Sequence, residues 1–587
     1  MKSLGRWMML GLAAVAFVAP LKLGTPVMLQ SAVPPPATGL EWLIWSWPNE
    51  VGWLLCGAGL LGWALDRRRM AARKDVLFLL PLLFLVTQVV ALPGTINWQS
   101  SRDTLVHLGM CVFLFYAAAR YVRDGADAAR VFAGLGVASL LVCVFALDQW
   151  HGGLEETRQF VSENFDPANV SPEMALRMTS QRVYGTLVYP NALAGFVVVA
   201  LGPVLAWIWV RGRNWDAKVR LVALGLMGGL MVWVLVLTGS RGGMVAFGVA
   251  VLVAVVSGGK PKWVGGALAV VGLIFVGGWA AGWVKLGTNS LDARLDYWEG
   301  AVAIIRDHPW RGTGPGTFGS IYAKYKTGLT EEAQVVHNNF LQMWTDSGVV
   351  AFGVFAALWV VGLRDALRLA AARRGDAAAV AIAAGLAGWT VHGLVDFDLY
   401  VPGVAWPAFL LLGMVQGLKE APPGDEHESR WYGIRAAAGV VAVMVVVWLS
   451  GRSLAAAFAH SEMREAQATN PFAALAAGRR AVALAPRNSH YHSFVGDVAV
   501  QLRQFDEAVR NYEAAIAHDP YRASYRWRLA RVWLAQGGHD REAGEQLRAA
   551  AALNPTKELY RAELAAFEES VRQGERRLLE SAPVGQP

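Results

Sequence analysis

Three arginines beside apolar segments could together bind a negatively charged group: Arg182, Arg241 and Arg294. Arginine stays charged at physiological pH, and its planar guanidinium group matches phosphate oxygens two at a time. Gly242 and Gly243 follow Arg241 and would let a ligand approach the backbone closely. Each arginine alone would also suit an anchor at a membrane interface, but the three together predict a diphosphate site. We expect Asn191, which follows Arg182 in the chain, to contact the same substrate.

His337 is the candidate general base. An unperturbed histidine has a pKa of about 6.5, so it can accept a proton from a hydroxyl group near neutral pH. An isolated histidine is more often structural. His337, however, lies next to Asn338 in a segment that runs directly into an apolar stretch. We therefore predict that His337 acts in catalysis together with Arg241, and that Asn338 contacts the substrate.

Two carboxylates, Asp396 and Asp398, end another apolar stretch. A pair of carboxylates could supply hard oxygen ligands to a divalent metal. Two acidic residues alone are weak evidence for a metal, and hydrogen bonding or pairing with arginine explains them better. We expect Asp396 and Asp398 to bind substrate, with no metal and no cofactor.

The elements that must position these residues are apolar helices. Hydrophobic residues make up 55% of the 587 residues and charged residues only 17%, which is typical of a membrane protein. A membrane core requires about 20 mostly apolar helical residues. The sequence offers about thirteen such spans, at residues 7–29, 48–65, 76–92, 104–119, 131–148, 187–210, 219–238, 243–257, 263–284, 346–363, 377–394, 402–418 and 432–450.

The basic residues indicate which connections lie inside the cell. Every second connection is rich in lysine and arginine, for example 67–74, 211–220 and 364–374, and such segments remain cytoplasmic. This pattern accounts for the net charge of +8 without a nucleic-acid partner. It places the N-terminus inside, and it places the long loops 149–186 and 285–345 outside. Every candidate site residue then falls on the outer side.

The C-terminal region has a different composition and a repeat. Pro486, Pro520 and Pro555 are 34 and 35 residues apart, which is the tetratricopeptide period. We predict an all-α fold with N-terminal membrane helices in 1–150, a membrane core in 151–420 and a final span at 432–450. A solenoid of tetratricopeptide repeats would then occupy 455–575. A generic helical tail would not explain the period, and the repeats predict a protein partner on the outer side.

Residues 180–415 contain five segments in an order and spacing that resemble the O-antigen ligase and polymerase superfamily of bacterial membrane glycan transferases. They are YGTLVYPNALAGF, TGSRGGMVAFG, RLDYWEGAVAIIRDHPWRGTGPGTFG, VVHNNFLQMWTDSG and HGLVDFDLYVPG. His337-Asn338 and Gly348 match the ligase signature, whereas Ala351 departs from its last position.

The resemblance implies an enzyme of the bacterial inner membrane that uses neither metal nor nucleotide sugar. Its donor would be a glycan linked to undecaprenyl diphosphate at the periplasmic face. Arg182, Arg241 and Arg294 would bind the diphosphate, and His337 would activate the hydroxyl group of the acceptor. The acceptor would be lipid A-core or a similar glycolipid, another glycan, or a protein.

Other functions remain open. A glycan polymerase or a protein O-oligosaccharyltransferase would use the same motifs with a different acceptor. A non-catalytic platform for polysaccharide export would use the repeats to recruit partners. A transporter is disfavoured, because the sequence shows neither paired repeats in its two halves nor charges within the spans.

Overall fold

The computed structural model describes residues 2–32, 34–66, 75–155, 181–280, 289–327, 333–419 and 432–581. Within these ranges the protein is helical and contains no strand, so the predicted all-α class is confirmed. The first six helices are α1 (Lys2–Lys22), α2 (Gly39–Ile44), α3 (Asn49–Ala64), α4 (Val76–Ala91), α5 (Trp98–Tyr121) and α6 (Gly125–Asp148). Most of the outer loop 149–186 lies outside the described residues.

The described residues of the central region form nine further helices. They are α7 (Pro190–Arg211), α8 (Ala217–Leu237), α9 (Arg241–Ser257), α10 (Val264–Ala280), α11 (Asn289–Asp307), α12 (Phe318–Tyr325), α13 (Asn339–Ala372), α14 (Ala377–His392) and α15 (Pro402–Leu418). The segment 285–345, expected to be a long loop, therefore contains two helices, α11 and α12, and the start of α13.

In the part of the chain that the structure describes, eight helices are long and apolar enough to cross a membrane: α1, α4, α5, α6, α7, α8, α13 and α16 (Tyr432–Ala466). Four shorter apolar helices, α9, α10, α14 and α15, also match predicted spans, whereas α3 belongs to neither group. Large apolar side chains remain exposed on the outer helices, for example Leu226 on α8 and Trp448 on α16. Apolar surface of this kind is typical of helices that face lipid. The protein is a membrane protein, but the count of thirteen spans stays a prediction.

Helix α15 forms the centre of the bundle, because every one of its residues is buried. Two glycines bring its backbone against α5. A Cβ atom at Gly413 would lie 2.2 Å from the carbonyl oxygen of Phe115, and one at Gly417 would lie 2.1 Å from that of Val122. Only glycine fits at these positions, as is common where membrane helices approach closely.

Six helices follow α16: α17 (Pro471–Leu484), α18 (Ser489–Gln501), α19 (Phe505–His518), α20 (Ala523–Gln536), α21 (Asp540–Leu553) and α22 (Glu558–Ser581). Each helix packs against the next along the chain, and the three repeat prolines fall between helices. The expected border between a span at 432–450 and a separate domain from 455 lies inside α16, which continues to Ala466. The helices are present, and their assignment as tetratricopeptide repeats stays a prediction.

Candidate functional site

Three membrane helices begin around the short segment that joins α14 to α15. The Asn339 amide at the start of α13 donates to the carbonyl oxygen of Gly393, at 2.8 Å. A Cβ atom at Gly242, in the first turn of α9, would lie 2.7 Å from the side chain of Val395. A Cβ atom at Gly243 would lie 2.6 Å from Ala194, in the first turns of α7. The helix N-termini of α7, α9 and α13 therefore meet, and the positive ends of their helix dipoles favour negative charge there.

The three predicted arginines lie around this point. Arg182 donates from Nε to the carbonyl oxygen of Thr238 and from Nη2 to Oδ1 of Asn191, both at 2.6 Å. Burial lowers the pKa of Arg182; the charge of Asp396 opposes this, and the charges of Arg294 and Arg241 lower it further. Arg182 therefore lies within electrostatic reach of both Arg241 and Arg294. Asn191 thus orients Arg182, a role that the sequence did not specify.

Arg241 is the first residue of α9, and Ser240 caps that helix by accepting a hydrogen bond from the Gly243 amide at 3.2 Å. Within the described part of the chain, Arg241 forms no hydrogen bond and no ion pair. Arg294, on α11, lies with Nη2 3.7 Å from Oδ2 of Asp396. Because one carboxylate faces several arginines, the site keeps an excess of positive charge that an anionic ligand could neutralise.

His337 is held between aromatic rings and a carboxylate. Its Nδ1 atom lies 3.5 Å from Oδ1 of Asp396. Its ring stacks on Tyr297 at 5.6 Å between centroids, and the edge of Phe397 approaches at 4.9 Å. The backbone of His337 has φ of 54°, a left-handed conformation that non-glycine residues rarely adopt. Such strain persists only where the surroundings fix the residue, and it is frequent at functional sites.

Asp396 is buried, with 1% of its surface exposed. Burial raises the pKa of its carboxyl group, but the contact with His337 and its charge, with the charges of His392 and Arg294, lower it more. The net result is a pKa below the ordinary range, so the carboxylate is ionised at neutral pH. Asp396 is thus suited to orient the imidazole of His337 through Nδ1, which leaves Nε2 for a substrate.

Asp398 has different surroundings. Its Oδ2 atom lies 2.6 Å from Nδ1 of His392, and both residues are buried. Burial raises the pKa of Asp398, His392 lowers it, and the neighbouring Asp396 raises it. Its carboxylate also fits against Gly195 of α7, where a Cβ atom would lie 2.5 Å from Oδ1. These contacts fix the segment that joins α14 to α15, and the substrate contact expected of Asp398 stays a prediction.

Asn338 also uses its side chain within the protein. Its Oδ1 atom accepts hydrogen bonds from the amides of Phe340 and Leu341, at 2.9 and 3.1 Å. It is therefore the N-cap of α13. This geometry explains a polar residue after His337 at the entry to a membrane helix, because a cap satisfies amides that the helix leaves unpaired.

Sequence reasoning missed Asp346, which anchors the glycine-rich loop 312–317. Its carboxylate accepts hydrogen bonds from the amides of Gly316 and Phe318, from Gln342 Nε2 and from the Tyr400 hydroxyl, at 2.9, 3.1, 2.9 and 3.2 Å. An aspartate inside an apolar helix is rare and tends to be functional, and this feature of the sequence could have identified Asp346 as a candidate.

Gly348 interrupts α13 with φ of 82°. A Cβ atom there would lie 2.1 Å from the carbonyl oxygen of Trp310, in the segment that precedes the same loop. The glycine eleven residues after the histidine therefore lets the loop lie directly on α13. A close approach of two backbones is the physical reason for a glycine at this position.

The residues that the structure describes include no group of three or more His, Cys, Asp or Glu side chains that could hold a metal. The two aspartates singled out by the sequence are instead turned toward histidine and arginine partners. Metal independence stays a prediction.

Comparison with known proteins agrees with the resemblance in part of the chain. No curated protein matches the chain. A family model matches residues 226–356. This segment contains Arg241, Arg294, His337 and Gly348, whereas Arg182 and Asp396 lie outside it. Residues 226–356 match the family described as O-antigen ligase, which supports the O-antigen ligase superfamily and a membrane enzyme of the glycosyltransferase type.

Proposed function

We propose that the protein is a glycan transferase that moves an oligo- or polysaccharide from undecaprenyl diphosphate to an acceptor hydroxyl on the periplasmic face of the inner membrane. The observation that carries the proposal is the meeting of Arg182, Arg241 and Arg294 beside the pair His337 and Asp396. An anion site and an oriented base, adjacent to each other, are what such a transfer needs.

The arginines would bind the diphosphate of the donor. Arg182 is held in place by Asn191 and the Thr238 carbonyl, so its position is fixed before substrate arrives. Arg241 has no partner of its own among the described residues and is available to the phosphate oxygens. The N–H groups at the start of α9 add further donors to the same place.

His337 would activate the acceptor. The acceptor oxygen attacks the anomeric carbon of the donor sugar, and the bond between that carbon and the phosphate oxygen breaks. The hydroxyl proton passes to Nε2 of His337, and Asp396 stabilises the imidazolium ion that forms, since its Oδ1 lies 3.5 Å from Nδ1. Undecaprenyl diphosphate leaves with an added negative charge, which the arginines stabilise most strongly where water is scarce.

The acceptor is not specified by these residues. Lipid A-core or a similar glycolipid fits the ligase motifs, and a growing glycan or a protein hydroxyl would enter the same chemistry. The helical region α17–α22 packs on the same end of the bundle as the site, with Lys324 of α12 5.6 Å from the ring of Tyr521. Such a region beside the site supports a protein partner or a protein acceptor as the second candidate function.

Reconstitution tests the proposal. The full-length protein is placed in liposomes with lipid-linked glycan and each acceptor class in turn, and the products are resolved on gels and by mass spectrometry. His337→Ala and Arg241→Ala should each abolish transfer while the variants insert at normal levels. General-base catalysis contributes about 100- to 10,000-fold, so the loss from His337→Ala should be large.

Matched control variants are His151→Ala, an exposed histidine after α6, and Arg306→Ala, an exposed arginine on α11. Both should transfer glycan at the normal rate. Normal transfer by both His337→Ala and Arg241→Ala would refute the assignment and would favour a non-catalytic platform.

A further inference from the structure

One hydrophobic cluster connects the C-terminal helical region to α11 and α12. Its buried members come from α11, α12 and the segment before α13, and they include Tyr297, Phe318 and Tyr322. Tyr521, which precedes α20, packs against this cluster. The ammonium group of Lys324 lies 5.6 Å from the centre of the Tyr521 ring, a cation–π contact. The two regions are therefore joined by packing as well as by the chain.

A polar contact lies beside this cluster. Asp519 is buried to 1% exposure, and it lines one small pocket together with Asn97 and Ser320. Asn97 in turn donates to the Ser320 hydroxyl at 3.3 Å. Arg522 lies with Nε 3.5 Å from Asp519 Oδ2. A charged group is removed from water only where its surroundings compensate, so this contact is specific to one arrangement of the two regions.

The hydrophobic cluster extends to His337, the candidate general base. Tyr322 of α12 meets the ring of Tyr297 edge to face at 5.7 Å, and Tyr297 stacks on His337. Gly300 allows this close packing, because a Cβ atom there would lie 2.6 Å from the ring of Tyr322. Arg294 precedes Tyr297 by one helical turn on α11. A shift of α12 would therefore move both the ring under His337 and one of the arginines.

We infer that the C-terminal helical region holds α11 and α12 in the arrangement that transfer requires, with Tyr521 and Asp519 as positioning residues for Tyr297, Arg294 and His337. This inference rests on the proposed function, because it assigns the helical region a part in the same reaction. A misplacement of about 1 Å in a site can reduce a rate by about 100-fold. A protein partner or acceptor that binds the helical region would thereby alter transfer at His337.

The first test removes the packing contact in the full-length protein. Tyr521→Ala should lower the turnover number by about 10- to 100-fold. Tyr521→Phe should retain the normal rate, because the ring makes the contact. Leu534→Ala is the matched control, since this side chain is exposed on α20 and should not matter. Normal turnover by Tyr521→Ala would overturn the inference.

The second test replaces the polar contact by a reversible bond. In the double variant Ser320→Cys/Asp519→Cys, the reduced protein should transfer slowly, and oxidation with diamide should form a disulfide that restores the rate. Reduction with dithiothreitol should lower the rate again in the same sample, which a folding defect would not do. The native cysteines, Cys56, Cys111 and Cys143, are buried and should not compete. Equal rates in the oxidised and reduced forms would overturn the inference.

The two proposals fail separately. If His337→Ala abolishes transfer while the Tyr521 and Asp519 variants transfer normally, the inference fails and the proposed function stands. If His337→Ala and Arg241→Ala both transfer normally, the proposed function fails, and the inference fails with it.

Discussion

Replacing Asp346 with alanine removes the group that fastens the glycine-rich loop to α13. The lost carboxylate accepts hydrogen bonds from two backbone amides of that loop region, Gly316 and Phe318, and from two side chains. The site is buried, so water cannot easily replace these bonds. A buried donor left without a partner costs about 1–3 kcal/mol. The two amides alone therefore cost about 2–6 kcal/mol.

This cost should appear as local opening of the loop, because the loop contributes little to the apolar centre of the bundle around α15. A loss of at least about 2 kcal/mol corresponds to about 30-fold faster exchange of the loop amides, since 1.4 kcal/mol is a factor of ten. Hydrogen–deuterium exchange with mass spectrometry in nanodiscs should show this change for residues 312–318. Glycan transfer by the same variant should fall, because the loop lies on the α13 segment next to His337.

Asp292→Ala is the matched control, since Asp292 is exposed on α11. Its exchange and transfer should be unchanged. Asp346→Asn should give an intermediate effect, because an amide keeps one acceptor oxygen but loses the charge. Unchanged exchange of residues 312–318 in Asp346→Ala would refute the reasoning, since it would mean that the carboxylate does not hold the loop.

Three further predictions follow from single contacts. Asp396→Asn should lower transfer by up to about 10,000-fold with normal insertion, because the carboxylate that orients a catalytic histidine is lost, and a normal rate would contradict the pairing. Gly348→Ala should lower the thermal stability, since a side chain at this φ and ψ costs about 1–3 kcal/mol and its Cβ would collide with Trp310. Gly353→Ala has open space and should be tolerated in the same melting assay. Transfer should persist after treatment with EDTA, and a loss that Mg²⁺ or Mn²⁺ restores would show that the reaction needs a metal.

The local features of the chain were readable from the sequence. Apolar runs of membrane length predicted helices, because burial of such runs in lipid does not depend on distant partners. The charge pattern placed Arg182, Arg241, Arg294 and His337 on one side, and the structure brings them together at one end of the bundle. The proline period predicted the alternation of helices α18–α22.

The sequence did not predict which distant partner each polar side chain of the site contacts. Asp396, for example, faces His337 and Arg294, which both lie far earlier in the chain. These outcomes depend on which helix ends meet, and the packing of glycines such as Gly243 against neighbouring helices decides that.

What the sequence determined by itself is the class of protein, its helices and the set of residues that could do chemistry, because composition and spacing are properties of neighbouring residues. Only the tertiary structure decided which residues form the site. The hydrogen bonds of Asp346, for example, join α13 to residues about 30 positions earlier and to Tyr400, 54 positions later. Contacts between residues so far apart in the chain leave no periodic signal, because they exist only after the helices have packed.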